Sequence, residues 1–573
     1  MRIQEIERLT GLTRKTIRYW ESRGLLSVGR SDNQYRDYDD EALRRIMEIA
    51  MLRQAGISVT GIGLWQDGVI SADEMLETRL AELRDADALT ASQREMIDRL
   101  RGVLAGGNAE PSGAVQDGED AECASEAMVV GIDIGTTTIS AAIIDLETGR
   151  QLTAYTLASG AAIPTDSPHA HLQDAAQIAR RVQGLLDSLI ARYGSIRAIG
   201  LSGQMHGIVY TDAHGALCSP LWTWQDESAG LPIDGGASAA ARLQALTGGA
   251  ASAGYGLATH YYHLLTGTVP AGAAKLCSVA DSIAMLLTGR REPLVHTSMA
   301  ASFGCFDHGF LPTLQAAGID AILPEVTADA VIAGEYHGIP VAVAIGDNQA
   351  SFLGSVKSPR DTVLVNFGTG SQISMMTKDG AASGDIELRP FIGSTHLMSG
   401  SALCGGRAWA MLEKFFAAYA GEIGVGGSQY AVMERLAFAG MDAGINAPLH
   451  VRTTFCGRRS EPSLRGCIDG IGEENFTPGI LAAGVLYGMA GELREMYDAM
   501  AHAHVRTLAA SGNAVRLNAA LREVLRRVFG MEVMLPAHAE EAAHGAAMFA
   551  ALAAGLVGDF NELEKYVSYK EET

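Results

Sequence analysis

Residues 129–144, VVGIDIGTTTISAAII, and residues 363–376, VLVNFGTGSQISMM, follow one plan: an apolar run, a turn of Gly and Thr, and a second run. Short apolar runs bounded by turn residues read as buried strands, so each segment is a strand, a tight turn and a strand. Two copies of one unit in a single chain predict two similar lobes with a cleft between them. The turns also carry chemistry. Gly and Thr offer backbone N–H groups and hydroxyls to an anion with no bulky side chain in the way, and two such turns on one cleft suit a triphosphate. Neither G-x-x-x-x-G-K-[ST] nor a strand-coupled G-x-G-x-x-G occurs, which removes the main support for a P-loop or a Rossmann site. The first hairpin also carries an acid, Asp133.

Outward from the hairpins, apolar strands at 128–134, 139–145, 198–203, 341–345, 362–366 and 373–376 alternate with helical stretches at 173–193, 408–420 and 482–501. That is an α/β or mixed pattern. In IPVAVAIGDNQASFLGSV (339–356) a buried strand ends at Ile345 and a helix runs over 348–356, leaving Asp347 at the junction. A helix N-terminus favours an ionised carboxylate, as a catalytic base requires; the same position also suits a simple helix cap. GLSGQMHGIVY (200–210) ends a strand in a polar turn with Gln204 and His206, which can hydrogen-bond sugar hydroxyls or satisfy local backbone. WTWQDES (222–228) sets aromatic faces beside an acid, which suits a polyol, although tryptophans also serve as core.

The N-terminus differs in character. A short helix over 3–9, a turn at Thr10-Gly11-Leu12 and a second helix opening at Thr13, with Arg14, Lys15 and Arg18 on one side, form a helix-turn-helix pattern. A polar stretch with Arg30, Asn33, Tyr35, Arg36 and Tyr38 follows, then a helix over 40–55. Residues 2–60 resemble the DNA-binding head of the MerR-type regulators through TGLTRKTIRYWESRGLL, YRDYDDEALRRI and LRQAGIS. That resemblance implies contacts to double-stranded operator DNA through Arg14, Lys15, Thr16, Arg18 and Tyr19, with Arg36 and Tyr38 on a wing touching phosphates. Residues 72–104 carry Met75, Leu76, Leu80, Leu83, Leu89, Met96, Ile97, Leu100 and Leu104 at three- and four-residue spacings. This is an amphipathic helix that either packs on its own domain or, as in the regulators, pairs two protomers into a homodimer. Residues 105–127 read as a flexible tether.

Whole-chain quantities agree with two jobs on one chain. The 573 residues exceed one domain, and 47% apolar with 19% charged residues is ordinary globular composition. No run approaches 18 apolar residues and no apolar leader opens the chain, so neither a membrane span nor export is expected. Seven scattered cysteines, never in CxxC spacing, fit a reducing cytosol and no structural zinc. The net charge is −22, yet residues 1–36 hold eight basic and four acidic side chains, +4, leaving −26 on the other 537.

From Met128 to about Ala554 the ordered blocks GIDIGTTT, SGQMHG, TWQD, GDNQAS, NFGTGS, CGGRAW and SGNAVRLN resemble the FGGY carbohydrate kinases, and within them the sedoheptulokinase branch. The resemblance implies a two-lobed α/β body of the actin/hexokinase/Hsp70 (ribonuclease H-like) class behind an all-α winged helix-turn-helix head. The boundaries expected are 1–70 for the head, 71–104 for the pairing helix, 105–127 for the linker, 128–354 for the N-terminal lobe and 355–560 for the C-terminal lobe. It implies ATP-dependent phosphorylation of a ketose, sedoheptulose or a pentulose such as xylulose, at a primary hydroxyl. Asp347 falls on the family's catalytic base and Asp133 on the acid near Mg2+. Thr136, Thr137, Thr138, Gly368, Thr369 and Gly370 fall on the phosphate turns, and Gly405, Gly406, Gly512 and Asn513 on the adenosine side. Gln204, Met205, His206, Gln225 and Asp226 fall on the sugar side. Two departures stand out: Ser228 replaces the Arg usual after TWQD, and Ala510-Ser511 replaces two residues of a Gly triplet. The alternative is a sugar-sensing regulator whose kinase-like body has little or no catalysis.

Overall fold

Thr13 starts the second helix because its hydroxyl accepts the Thr16 N–H at 3.2 Å, satisfying one of the donors a helix start leaves open. The structure, a computed structural model, describes residues 3–10, 12–30, 36–85, 127–378, 380, 384–442, 449–458, 461, 463–500 and 505–570. The head comprises α1 (Ile3–Thr10), α2 (Arg14–Ser22), a wing of β1 (Gly29–Arg30) and β2 (Arg36–Asp37), α3 (Asp40–Gln54), α4 (Val59–Gln66) and α5 (Ala72–Asp85). Ile6, Ile17, Trp20, Tyr38, Ile46 and Ile49 form its fully buried centre. Only the first part of the expected pairing helix is described, as α5. Its Met75, Leu76 and Leu80 are buried in the apolar cluster that head and body share, so these three side chains serve the chain's own packing. Residues 86–104, and the tether up to 126, lie outside the described residues.

The first lobe is built on β3 (Met128–Ile134), β4 (Thr138–Asp145), β5 (Gln151–Ala158), α6 (Ala175–Tyr193), β6 (Ile196–Gly203), β7 (Ile332–Tyr336), β8 (Ile339–Ala342) and β9 (Ile345–Gly346). The sheet order is β7-β8-β6-β3-β4-β5, with β9 pairing β6. A further helix, α7 (Asp347–Ser355), leads into the second lobe. That lobe holds β10 (Thr362–Phe367), β11 (Ser371–Thr377), β12 (Ile386–Pro390), β13 (His396–Ala402), α8 (Gly406–Glu422), β14 (Thr507–Ser511) and β15 (Val533–Met534), in the order β12-β13-β11-β10-β14-β15. The plan repeats: β3 pairs β4 antiparallel and β6 parallel, and β10 pairs β11 antiparallel and β14 parallel.

Both faces of β3 are covered, which explains its nearly unbroken apolar sequence. Val130, Ile132 and Ile134 join the cluster that includes Ile178 and Val182 of α6, whereas Val129 joins the one holding Ala547 and Ala550 of α9 (Glu541–Ala553). Helix α9 lies so close that a Cβ on Gly131 would stand 1.9 Å from the Ala543 carbonyl oxygen, and one on Gly200 would stand 1.9 Å from that of Ala546. The chain thus returns from the second lobe to cover the first lobe's sheet. Helices α7 and α9 also cross at a pair of glycines, where a Cβ on Gly545 would lie 1.8 Å from the Ala350 oxygen and one on Gly354 would lie 2.0 Å from the Glu541 oxygen.

Candidate functional site: the cleft around Asp347

Three parallel strand ends assemble the site. Asp133 of β3 pairs with Ser202 of β6, and on the other side of β6, Ile345 and Gly346 of β9 pair with Ser202 and Gly203. Asp133, Gln204 and Asp347 therefore leave one sheet at the carboxyl ends of adjacent strands, where α/β sheets hold their ligands. Gly346 lacks a Cβ because one would meet Gln349 Oε1 at 2.5 Å and Met205 Sδ at 2.9 Å. Met205 is thus packed beside the Asp347 turn.

Asp347 is the first residue of α7; Gly346 holds the cap position, and among the described residues the Asp347 carboxylate accepts the adjacent Asn348 N–H, at 2.7 Å. Burial raises its carboxyl to about 6, offset in part by that N–H and by the charge of Arg389. Asp133 rises to about 7, first from burial and then from the charge of Asp347, while the Ser202 hydroxyl, donating at 2.6 Å, opposes the shift. Glu540, at the start of α9 with φ +56°, adds to the rise. A desolvated carboxylate, Asp133, that is raised further by the charge of a second one suits a divalent cation, so the donor set fits Mg2+.

Next to Asp347, Asn348 Nδ2 donates to Gln372 Oε1 and to Ser374 Oγ, each at 3.1 Å, tying α7 to β11. The first Gly-Thr turn begins two residues after Asp133, and the second ends two residues before Gln372, so both turns flank the Asp347 corner. The second turn forms a glycine cradle. A Cβ on Gly405 would stand 2.4 Å from the Gly370 carbonyl, one on Gly406 2.6 Å from the Gly368 oxygen, and one on Gly512, at φ +92°, 2.4 Å from the Phe367 oxygen. A Cβ on Gly368, by contrast, would meet nothing nearer than 3.9 Å. Three backbones close on one another and leave an open face with exposed Thr369 and Asn513, a surface that fits a nucleotide.

Thr137 and Thr138 are exposed on the first turn, but Thr136 is engaged on the other side. Its hydroxyl donates to Gln204 Oε1 at 3.4 Å and accepts from Trp224 Nε1 at 3.0 Å, and its carbonyl accepts from Gln173 Nε2 at 2.5 Å. Gln204 Nε2 donates in turn to Gln173 Oε1 at 2.9 Å. Thr136, expected among the phosphate ligands, thus belongs to a network with Gln173, Trp224 and Gln204, the last expected on the sugar side. His206 sits at φ +73° and stacks on Tyr255 with ring centroids 4.7 Å apart. Its Nδ1 donates to the Ser302 carbonyl at 2.8 Å, which fixes the ring's orientation. Gln225 is exposed; Asp226 is buried, and its carboxylate accepts the His171 and Ser228 N–H groups at 3.1 Å each. Sequence reasoning missed the roles of Gln173, Ser202, Arg389 and Glu540, which lie tens to hundreds of residues from their partners, so no spacing could reveal them.

In the head, Arg14, Lys15 and Arg18 are exposed. Arg14 also pairs with Glu7 at 2.7 Å and Arg36 with Glu21 at 2.6 Å. Thr16 is buried against the helix cap and Tyr19 is half-buried beneath Arg23, whose guanidinium carbon lies 5.3 Å from the ring. Tyr38 is fully buried in the head's core, so the phosphate contact expected of it is not available in this conformation: its apolar ring fills the space beneath the wing.

Residues 128–233 match the N-terminal domain of the FGGY family of carbohydrate kinases and residues 363–554 its C-terminal domain, together just over half of the chain. Residues 1–68 match the MerR HTH family regulatory proteins. This chain is an FGGY carbohydrate kinase with a MerR-type head. The kinase is 26% identical over 479 residues to the sedoheptulokinase of Mus musculus, covering 74% of this chain and 97% of that protein. Its fold matches the xylulose kinase from Rhodospirillum rubrum with a TM-score of 0.65 at 22% identity, over 78% of this chain and 93% of that one. The head is 35% identical over 86 residues to the HTH-type transcriptional regulator AdhR of Bacillus subtilis (strain 168), covering 15% of this chain and 61% of that regulator. Among the described residues, the six cysteines are free thiols and no helix is long and apolar enough to cross a membrane.

Proposed function

We propose that the kinase body transfers the γ-phosphoryl group of ATP to a primary hydroxyl of a ketose, sedoheptulose or a pentulose such as xylulose, and that the head binds operator DNA. The observation that carries the reading is Asp347, a desolvated carboxylate raised to about 6 between the Gln204 network and the glycine cradle. In phosphoryl transfer the protein chiefly positions groups and balances charge. Gln204 and Trp224 orient the sugar, with His206 Nε2 as a further hydrogen-bonding atom. Asp347 orients the attacking hydroxyl and takes its proton as the oxygen–phosphorus bond forms and the bond to ADP breaks. Mg2+ held by Asp133 would supply positive charge for the phosphate oxygens. Backbone N–H groups of the turns at 135–138 and 368–370, with Thr137, Thr138 and Thr369, hold the phosphates, and Gly405, Gly406, Gly512 and Asn513 hold the adenosine. Measuring ADP release with sedoheptulose, xylulose and ribulose tests the reading; folded protein that turns over none of them refutes it.

A second reading, a ligand-sensing regulator with little or no catalysis, draws on one local fact. Where the resemblance leads one to expect Arg, Ser228 offers Asp226 its backbone N–H and its hydroxyl in place of a guanidinium. Turnover at about 1–100 s⁻¹, the usual range for kinases, excludes it.

A further inference from the structure

Helix α4 carries a cost that the head alone does not explain: VTGIGLWQ has glycines at 61 and 63 inside a short helix, and each interior Gly is worth about 1 kcal/mol against Ala. The body explains them. A Cβ on Gly63 would lie 1.9 Å from Arg192 Cζ, and one on Gly61 would lie 3.0 Å from the Tyr155 ring. Arg192, near the end of α6, lays its guanidinium across α4. It donates to Asp67 Oδ2 at 2.8 Å, to the Arg23 carbonyl at 2.8 Å and to Ser188 Oγ at 3.2 Å, and Ser188 donates to the same Asp67 oxygen at 2.6 Å. Arg23 is the C-cap of the recognition helix α2, and its guanidinium carbon stands 4.5 Å from the centre of the Tyr193 ring. Further along α6, Gly184 faces Val69, and Arg181 pairs with Glu74 of α5 at 2.6 Å. The head is therefore held by its C-terminal side, while Arg14, Lys15 and Arg18 stay exposed.

The other end of α6 lies at the sugar network. Gln173, two residues before the helix, holds both Thr136 and Gln204, and Asp174 between them caps the helix by accepting the Gln177 N–H at 2.8 Å. Nineteen residues at 1.5 Å each make a rod of about 28 Å. We propose that α6 couples the sugar site to the recognition helix, with Arg192 as the positioning residue that clamps the head, so that ketose binding and DNA binding are thermodynamically linked. A sugar hydroxyl that engages Gln204 changes its bond to Gln173, and a stiff helix carries that change to the Arg23 carbonyl. Linkage is reciprocal and typically amounts to about 5- to 150-fold in affinity. The inference rests on the sugar-kinase reading of the cleft.

The test uses the full chain, a duplex recovered on it by in vitro selection, and the ketose turned over in the ADP-release assay. Amide hydrogen exchange is followed in wild type, Arg192→Met and Gly63→Ala. Ala raises intrinsic helix propensity, so Gly63→Ala wedges the interface while favouring the helix itself. Both variants should exchange about tenfold faster over 59–67 with 200–210 unchanged. Ketose should alter exchange over 16–26, and shift duplex affinity, in wild type alone. Exchange over 59–67 that neither substitution changes overturns the clamp. Ketose that protects 200–210 yet leaves 16–26 and duplex affinity unmoved overturns the linkage. If no ketose is turned over, the functional reading has failed, and the substitutions without ligand still decide the clamp.

Discussion

Asp347 offers the sharpest test of the cleft. Raising its carboxyl from an ordinary 3.8 to about 6 corresponds to about 3 kcal/mol against the ionised form, and burial is the main cause. A base must be ionised, so kcat/KM should fall about tenfold per pH unit below 6, reaching about a tenth of its plateau near pH 5. The neighbouring Asp133 is raised to about 7, first by burial and then by the charge of Asp347. A cation held by Asp133 would favour the ionised form of nearby carboxyls, so raising Mg2+ should move the acid limb to lower pH, and Asp133→Asn should weaken that dependence. Asp347→Asn removes the proton acceptor with little change of shape and should lower kcat by about 10²- to 10⁴-fold while ATP binding persists. The assay is ADP release across pH 4.5–8 at several Mg2+ concentrations, with nucleotide binding followed by calorimetry. An acid limb near 4 that ignores Mg2+, or an Asn variant keeping a tenth of wild-type turnover, refutes the reasoning.

Other expectations follow from individual contacts. Gly545→Ala forces a Cβ into the Ala350 carbonyl at the α7–α9 crossing and should cost about 1–3 kcal/mol, read as a fall in melting temperature. Thr136→Val removes the hydroxyl between Gln204 and Trp224, so it should raise KM for the ketose several-fold more than KM for ATP in steady-state kinetics. Lys15→Ala should weaken duplex binding and reduce the slope of log affinity against log salt by about 1, measured by fluorescence anisotropy. Asp281, raised by burial to about 7, stabilises the folded chain most below about pH 4, and that contribution is lost as pH climbs through 7. The fall in melting temperature between pH 5 and pH 8 should therefore be smaller in Asp281→Asn.

The sequence by itself determined what depends on neighbours along the chain. Alternation and turn chemistry located the hairpins at 128–145 and 362–377 to within a residue or two, Thr13 marked the start of the recognition helix, and the strand-to-helix step at Ile345–Asn348 put Asp347 at a strand end. Charge counted by segment separated a basic head from an acidic body. Whether Asp347 caps a helix or faces a second carboxylate depended on the pairing of β3, β6 and β9, which join residues 133, 202 and 345. The engagement of Thr136 by Gln173, Gln204 and Trp224, the burial of Tyr38 and the use of Met75, Leu76 and Leu80 inside the chain are also long-range outcomes. Local pattern reports which side chains leave water; only tertiary packing decides what they meet there. The glycines of α4 make the case most plainly: unfavourable for the helix they occupy, they are accounted for by an arginine 129 residues beyond Gly63.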